Sequence, residues 1–378
     1  MPVMEISPSA RLEKWFRVFS REQHCVWLDS ADGYSGADWS VLAANPVEVR
    51  SGEDGDLLEW MREWEERLRE VSVQEVPFTG GLIGQIDYKA DMPAFPPETI
   101  PRISGWMGLY DRALVEHRLA GRVYAVVADW VDDSEMELTR WAASLGKITF
   151  SDKVAQVRAS RPVPDQSGDQ YQEGVRRVRE WIASGDIYQA NLSQRFQCEI
   201  IEGDAVELYQ ALRRENPAPY SAFIDCGGRQ ILSSSPELFL SISADRKIYT
   251  RPIKGTRPRS DEPAVDRDLA EGLRFNEKER AELLMIVDME RNDLGRVCEM
   301  GSVTAGQEFT LESFTSVHHL VGEVSGKLRD GVTIADVFAA AFPGGSITGA
   351  PKKRAMEIIG SLEPSRRRAY CGTIGFLA

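Results

Sequence analysis

Apolar residues recur along this chain with two different spacings, and segments of the two kinds alternate. Over residues 57–71, apolar side chains fall on one side of a segment rich in Glu and Arg, which predicts an amphipathic helix. Over residues 104–131, runs of β-branched and aromatic residues predict strands with hairpin-like returns. Helical spacing resumes over residues 171–182, and Gly185 is well placed to cap that helix at its C-terminus.

The second half of the chain shows several strand patterns before a long charged and amphipathic segment at 266–288. Because adjacent strands are many and helical crossovers few, the order favours an α+β fold, with largely antiparallel sheets flanked by helices, over a doubly wound sheet. Residues 151–170, rich in Arg, Ser, Pro, Asp and Gly, have a composition typical of a linker. The sequence therefore predicts an N-terminal domain over 1–150, a linker, and a second domain over 171–378. The predicted strands of the second domain cover 187–192, 220–224, 230–232, 237–242 and 247–249.

Composition and charge limit the classes of partner. The 378 residues carry 45 Lys and Arg against 59 Asp and Glu, a net charge of −14, which opposes nonspecific attraction to nucleic acid and to anionic membranes. The five cysteines show no C-x-x-C spacing, which argues against a zinc site or a disulfide framework and fits a reducing cytosol. The start has no signal-peptide pattern, and no uncharged apolar run reaches the ~18 residues of a membrane span. We therefore expect a cytoplasmic protein with no membrane span and no nucleic-acid partner.

One basic segment, residues 251–259, places four cationic side chains within nine positions of this acidic chain. Because neighbouring like charges disfavour the protonated form of a lysine, Lys254 is a candidate nucleophile. Gly255 permits a close backbone approach to a ligand, and Thr256 offers a hydroxyl and an amide to a carboxylate. On composition alone, a solvated basic turn is an equal alternative.

Two carboxylates and a histidine pair are further candidates. Glu237 stands beside an apolar run, which would let it act as a general acid, although an ordinary edge carboxylate has the same pattern. Glu282 lies on a predicted buried helix, where a carboxylate suits a hard ion such as Mg²⁺ shared with an anionic substrate. His318 and His319 fall on a strand pattern that turns one ring to each face, so that one can enter a site while the other packs or faces water.

Residues 343–352 combine glycines, Ser, Thr and Pro at the start of a helical pattern. Thr348 is a candidate cap for that helix, and backbone amides at its N-terminus, including that of Gly349, suit a carboxylate. The spacing from Gly344 to Gly349 is superficially that of a phosphate loop, but Ala350 and Pro351 replace the required Lys and Ser/Thr. The sequence thus argues against nucleotide hydrolysis.

Taken together and in order, five motifs resemble those of chorismate-utilising enzymes of the anthranilate synthase component I family. The resemblance is strong over residues 171–378, which it implies to be the chorismate-binding catalytic domain, and weaker over the first 150 residues. Position 254 discriminates within the family, because the anthranilate-forming branch usually has alanine there, whereas the branch that aminates C4 resembles this chain in having lysine. The motifs are Ile187–Leu192, Ser234–Glu237, Arg251–Arg259, Leu284–Asp293 and Gly344–Lys352.

The resemblance implies synthesis of 4-amino-4-deoxychorismate from chorismate and ammonia, with the ammonia supplied from glutamine by a partner amidotransferase subunit. Lys254 would attack chorismate C2 as the C4 hydroxyl leaves, and Glu237 would protonate that hydroxyl. His319 resembles the active-site histidine of the family and Glu282 its magnesium-binding glutamate. Two alternatives stay open: the anthranilate-forming component I, and a noncatalytic protein that binds chorismate or tryptophan.

Substrate contacts and a regulatory pocket are also implied by the resemblance. Leu28–Ser30 together with residues 219–221 is similar to the tryptophan pocket of related proteins. Family members continue beyond the last strand of this sequence and there supply further ligands, so we expect a C-terminally truncated chain with impaired turnover. The resemblance implies substrate contacts at Gly255, Thr256 and Tyr370 and tryptophan contacts at Ser30, Pro219 and Tyr220; Thr348 and Gly349 are further candidate substrate contacts from the segment 343–352.

Overall fold

A computed structural model describes residues 2–6, 11–31, 38–52, 56–68, 76–88, 103–150, 156–306 and 308–378. Among these residues, no helix combines the length and the apolar composition that a membrane crossing requires. The helices are α1 (Leu12–Phe19), α2 (Asp56–Leu68), α3 (Ser134–Leu145), α4 (Gly168–Ser184), α5 (Ala205–Glu215), α6 (Pro263–Arg274), α7 (Glu277–Gly295), α8 (Ile334–Ala341) and α9 (Lys352–Leu362).

Every strand pairing within the described ranges is antiparallel, which confirms the predicted fold class. The strands are β1 (Val3–Ile6), β2 (Val26–Asp29), β3 (Trp39–Ala43), β4 (Glu48–Gly52), β5 (Gly81–Tyr88), β6 (Gly105–Tyr110), β7 (Arg112–His117), β8 (Arg122–Val127), β9 (Arg158–Ala159), β10 (Val163–Pro164), β11 (Gln189–Ala190), β12 (Phe196–Gln197), β13 (Ile200–Glu202), β14 (Tyr220–Asp225), β15 (Gln230–Ser235), β16 (Leu238–Ile242), β17 (Lys247–Arg251), β18 (Ile253–Pro258), β19 (Thr304–Ala305), β20 (Thr310–Ser313), β21 (Val317–Val321), β22 (Val324–Lys327), β23 (Gly349–Ala350) and β24 (Arg368–Leu377).

Two sheets combine strands from both sides of the predicted linker. The seven-stranded sheet has the order β1-β8-β7-β3-β2-β14-β15, and a four-stranded sheet has the order β24-β5-β6-β4. Asp29 thus pairs with Ser221, and Ile83 with Phe376. The predicted linker itself contains β9 and β10. The division into two domains stays a prediction, and the two predicted units share hydrogen-bonded sheets.

The seven-stranded sheet has an apolar core on each face, because successive side chains of a strand point to opposite sides. Val26 belongs to the cluster that contains Ile83, whereas Trp27 belongs to the cluster that contains Phe16 and Tyr209. The rings of Phe16 and Trp27 lie 4.8 Å apart between centroids. The aromatic packing under α1 therefore anchors the strand that leads to Ser30.

A second region of the molecule carries Lys254 and His319, the candidate nucleophile and the candidate active-site histidine. Here α7 packs on the sheets β16-β17-β22-β19 and β18-β21-β20, with Leu283, Val287 and Leu294 in the shared core. In β18 and β21, Thr256 pairs with His319. The apolar face of α7 thus fixes the strands that present the lysine and the histidine.

Several predicted elements have the predicted position. Helix α4 has a capping box at Ser167 and ends at Gly185, whose φ of 83° suits a residue without a Cβ. The amphipathic segment at 266–288 falls within two helices rather than one, because Asn276 interrupts it and caps α7 by accepting a hydrogen bond from the Glu279 amide. The helix predicted over 57–71 is observed to Leu68, and its last three residues lie outside the described residues.

Candidate active site

The site is built around a turn, residues 344–348, that joins α8 to β23. The side-chain amide of Asn191 donates to the carbonyls of Ser346 at 3.0 Å and Thr348 at 3.2 Å. The main-chain amide of Asn191 also donates to Thr348, at 2.8 Å. Residues from the Ile187–Leu192 motif therefore hold the Gly344–Lys352 motif in place.

Ser346 contacts both of the residues expected to carry the chemistry. Its hydroxyl donates a hydrogen bond to Oε1 of Glu237, and its main-chain carbonyl accepts one from Nζ of Lys254 at 2.9 Å. The structure thus brings the expected acid and the expected nucleophile to one turn residue.

The environment of Glu237 suits an acid that works near neutral pH. Loss of hydration raises the pKa of its carboxyl to about 7. The Ser346 hydroxyl and the charge of Lys254 act in the opposite direction, because both favour the ionised carboxylate. A carboxyl with this pKa is present in both protonation states at neutral pH, as acid catalysis requires.

The cationic cluster expected around Lys254 is not observed, so activation of the lysine by three neighbouring arginines is the wrong explanation. Arg251 is paired with Glu312, Arg257 with Glu279 at 3.5 Å, and Arg259 with Asp266 at 2.9 Å. These carboxylates come from β20, α7 and α6, which the local sequence of the basic segment does not show. Between residues 253 and 256 the pairing of β18 with β21 shifts register, around the positive φ of Gly255.

Thr256 and His319 form a second pair beside the lysine. Thr256 Oγ1 and His319 Nδ1 are hydrogen-bonded at 2.9 Å, and burial lowers the pKa of His319, which favours the neutral ring. His318 is also buried, and it bonds Ser313 and Asp266 instead. The structure therefore separates the two histidines into one that joins the site and one that packs, and neither faces water.

Glu282, the expected magnesium ligand, lies one turn after Glu279 on α7. A Cβ on Gly255 would stand 3.2 Å from Oε2 of Glu279, so this face of the helix adjoins the lysine strand. The Glu282 side chain is 35% exposed and lies 3.7 Å from Lys278. The described part of the chain contains no group of three or more His, Cys, Asp or Glu side chains that could hold a metal ion. Glu282 as a magnesium ligand thus stays a prediction, and an ion bound there would need further ligands from substrate or water.

Three expected substrate contacts have different surroundings. Tyr370 is exposed on β24, and the Arg367 guanidinium lies 5.9 Å from its ring centroid. Thr348 is fully buried, and its hydroxyl donates to the Gly344 carbonyl at 3.0 Å. The expectation that Thr348 caps the helix is wrong, because that hydroxyl is used within the turn and α9 begins only after Pro351. Gly349, the first residue of β23, pairs with Ala190 of β11 directly after that turn.

The expected tryptophan residues lie at the ends of two neighbouring interior strands of the seven-stranded sheet, β2 and β14. Ser30 directly follows β2, whose Asp29 pairs with Ser221 of β14. The Ser30 hydroxyl donates to the Trp39 carbonyl at 2.7 Å. Pro219 is buried and Tyr220 half-buried next to it, so the structure brings all three residues to the same end of these strands.

Sequence reasoning assigned no role to three groups that the structure places at the turn. Asn191 lies in the Ile187–Leu192 motif and Ser346 in the Gly344–Lys352 motif, but the sequence alone does not show that the two residues are in contact. Glu290 is a buried carboxyl on α7, and its Oε2 accepts a hydrogen bond from Thr250 Oγ1 at 3.1 Å. A signal for Glu290 was available, since a charged residue on the core-facing side of an apolar helix is uncommon.

A family model described as chorismate binding enzyme matches residues 23–378. Aminodeoxychorismate synthase component 1 of Salmonella typhimurium LT2 is 43% identical over 310 residues, which span 80% of this chain and 66%, just under two thirds, of that protein. The protein of the same name from Escherichia coli K12 is 36% identical over 386 residues, covering 95% of this chain and 83% of that one. Anthranilate synthase component 1 1 of Haloarcula marismortui is 37% identical over 376 residues, covering 93% and 76%.

Solved structures show the same fold. Anthranilate synthase component I from Streptococcus pneumoniae TIGR4 superposes with a TM-score of 0.76 at 30% identity, over 91% of this chain and 81% of that chain. The menaquinone-specific isochorismate synthase of Escherichia coli superposes with a TM-score of 0.75 over 100% of this chain and 82% of that chain. At 14% identity, the second likeness concerns the fold alone.

Proposed function

The chain belongs to the family of chorismate-binding enzymes, and we propose that it makes 4-amino-4-deoxychorismate from chorismate and ammonia. The observation that carries this proposal is that Lys254 and Glu237 are both hydrogen-bonded to Ser346. The relatives named aminodeoxychorismate synthase component 1 support it. The anthranilate-forming alternative has less support, because it leaves the lysine without a role.

The proposed chemistry uses two substitutions in place of one difficult one. The neutral amine of Lys254 forms a bond to ring carbon C2, both ring double bonds shift, and the C4 hydroxyl leaves as water with the proton of Glu237. Ammonia then forms a bond to C4, the double bonds shift back, and Lys254 is released. The balance is chorismate plus ammonia to 4-amino-4-deoxychorismate plus water, with no oxidation or reduction.

The hydrogen bonds in the substrate-free protein indicate how Lys254 and Glu237 reach the protonation states that the reaction needs. An ammonium group at position 254 must lose a proton before it attacks, and Glu237 must gain one before it acts as an acid. Since both bind Ser346 and the charge of Lys254 acts on the Glu237 carboxyl, a proton passed from lysine to glutamate prepares both at once. His319, neutral and held by Thr256, is proposed to line the same site.

We propose Mg²⁺ as the cofactor, with Glu282 as a ligand. When bound, the ion would neutralise a carboxylate of the substrate and orient it beside Gly255 and Thr256. Glu282→Gln should raise the Mg²⁺ concentration needed for half-maximal binding of chorismate, measured by fluorescence titration. Glu357→Gln, an exposed carboxylate paired with Arg354 on α9, is the matched control.

The partners and the location follow from the same proposal. The relatives are named as a component 1, which implies a second component, and we propose a glutamine amidotransferase that supplies ammonia. We further propose tryptophan as a ligand near Ser30, Pro219 and Tyr220, because Tyr220 pairs with Ser235, the last residue of β15, two positions before Glu237. A cytoplasmic location is proposed on the five cysteines, all free.

Product identification by mass spectrometry tests the function. The chain, and the full natural polypeptide where that is longer, is incubated with chorismate, ammonium and Mg²⁺, alongside Lys254→Ala and the control Lys247→Ala, whose lysine is exposed and paired with Asp245. A 4-amino product that is lost only in Lys254→Ala supports the proposal. Anthranilate as the product, or chorismate binding without turnover, refutes it in favour of one of the two alternatives.

A further inference from the structure

Glu290 is a buried carboxyl that the chemistry proposed above does not use. It is 7% exposed, and the hydrogen bond to its Oε2 comes from Thr250, a neutral hydroxyl. A carboxyl removed from water is stable when it faces a cation or keeps its proton. Lys352, the cation on α9 whose charge acts on Glu290, is bound to Asp293 at 2.5 Å and to the Ala341 carbonyl at 3.0 Å.

The turn that carries Ser346 lies directly against Glu290. A Cβ placed on Gly345 would stand 3.7 Å from Oε1 of Glu290 and 2.6 Å from the Met289 methyl group. The next residue, Ser346, donates to Glu237. The two glutamates therefore flank the same short turn.

A small cavity adjoins Glu290 on the protein side of that turn. It measures about 10 Å³, roughly the room that one water needs. Its wall is mainly apolar, and the Glu290 carboxyl is one of three polar side chains that line it. The lining residues are Phe239, Leu240, Thr250, Glu290, Asp293, Leu294, Ala341, Gly344 and Gly345.

Charges around the two glutamates do not compensate both of them. Burial and the charge of Glu237 raise the pKa of Glu290 to about 8, above the value of about 7 for Glu237. Two buried carboxyls that flank one turn titrate as a coupled pair when the charge of one raises the pKa of the other. The other charged groups facing the pair are Asp293 on α7 with Arg296 beside it, Lys352 on α9 and Lys254 on β18.

Of these groups, Asp293 and Lys352 neutralise each other, and Arg296 acts on Asp293 and on neither glutamate, which leaves Lys254 to compensate one glutamate. Ionisation of both Glu237 and Glu290 would therefore bury a second negative charge that Lys254 does not compensate. A dicarboxylate substrate such as chorismate adds further negative charge at the site, and this raises the proton affinity of both carboxyls.

We propose that Glu290 is a positioning residue that acts through Glu237: the two carboxyls form a coupled pair that takes up a proton from solvent when the anionic substrate binds. The uptake keeps Glu237 in its acid form as the substrate arrives. This inference rests on the proposed function, since it takes chorismate as the ligand. No covalent bond changes in this step; one proton moves from water to the pair.

Isothermal titration calorimetry with chorismate and Mg²⁺, in ammonium-free buffers of different ionisation enthalpy, counts the protons taken up. The unsubstituted protein should take up protons at pH 8 and almost none at pH 6, where both carboxyls are already protonated. Glu290→Gln, which resembles the neutral form in shape, should lower the uptake at pH 8 by roughly half a proton, because a group with a pKa near 8 is half ionised there. Glu299→Gln, an exposed carboxylate paired with Lys327, should leave the uptake unchanged.

Glu237→Gln tests the coupling by removing the other ionisable carboxyl of the pair and leaving that of Glu290. Without the charge of Glu237, the pKa of Glu290 falls, so the remaining uptake should move to lower pH. Equal proton uptake in the unsubstituted protein and Glu290→Gln, both binding chorismate, overturns the inference while leaving the proposed function intact. Absence of any binding heat in the folded protein counts against the proposed function, and the inference falls with it.

Discussion

Lys254 and Ser346 are joined by a hydrogen bond of 2.9 Å from the lysine Nζ to the main-chain carbonyl of the serine. Because the acceptor belongs to the main chain, a change of the Ser346 side chain leaves it available to the lysine. The Ser346 hydroxyl serves a different residue, Glu237. The acid and the nucleophile can therefore be perturbed separately at one position.

Ser346→Ala should move the alkaline limb of the rate–pH profile to higher pH. The hydroxyl donates to the carboxylate form of Glu237 and so lowers its pKa; without it, the pKa rises above about 7 and the acid form survives to higher pH. Steady-state rates from pH 5.5 to 9 measure the shift. Ser346→Thr, which keeps a hydroxyl, should restore the original profile, and Ser361→Ala on α9 is the control. A limb that moves to lower pH would contradict the assignment.

Glu237→Gln should lower turnover by about 10²- to 10⁴-fold, the usual contribution of a positioned general acid. In the unsubstituted protein, kcat/KM should fall as the pH rises through about 7, because the free protein then loses the protonated carboxyl. The residual activity of Glu237→Gln should lack that fall, since the amide does not titrate. Turnover assays across the same pH range test both points, with Glu357→Gln as the control. An unchanged profile in Glu237→Gln would assign the titration to another group.

Asn191→Ala should destabilise the fold and reduce turnover together. Its side-chain amide makes two hydrogen bonds to the turn, and the loss of both should cost about 1–3 kcal/mol in the free energy of unfolding. Denaturant unfolding measures that change. Gln194→Ala removes a single hydrogen bond, to the Gln166 carbonyl, and should have a smaller effect on stability and none on turnover. Similar losses of turnover in both variants would argue against a role of Asn191 in holding the turn.

Gly255→Ala should destabilise the lysine strand. The backbone φ of 83° is in the left-handed region, and an added Cβ would approach Leu273 Cδ1 at 2.8 Å. We expect a loss of about 1–3 kcal/mol, seen as a lower midpoint in denaturant unfolding. Gly228→Ala is the matched control, because a Cβ there meets no atom within 4 Å. Equal effects of the two substitutions would show that the close packing at position 255 is relieved at little cost.

Local patterns predicted many of the elements around the site. Helix α4 and its cap at Gly185, the strands β14 to β17 and the strand that carries His319 all follow from spacing and turn residues. These features depend on neighbours within a few positions, so periodicity is sufficient to find them. The order of the five motifs indicated the family, which the family model confirms.

Charge partners were not predictable in the same way. The basic segment 251–259 looks like an uncompensated cluster in the sequence, but Glu312, Glu279 and Asp266 reach it from three other elements. Similarly, the composition of residues 151–170 indicates a linker, while β14 and β24 pair with strands from the other side of it. Neither the ion pairs nor the strand pairings can be found from the local sequence of one partner, because the other partner lies far away along the chain.

The sequence by itself determined which elements form, which motifs occur and which residue types are available for the chemistry, because these depend on local spacing. Only the tertiary structure decided that Ser346, which is 109 positions from Glu237 and 92 from Lys254, joins the two. It also placed Glu290 against the same turn. The pKa of a carboxyl depends on burial and on charges within a few ångströms, and these are set by chain segments far apart in sequence.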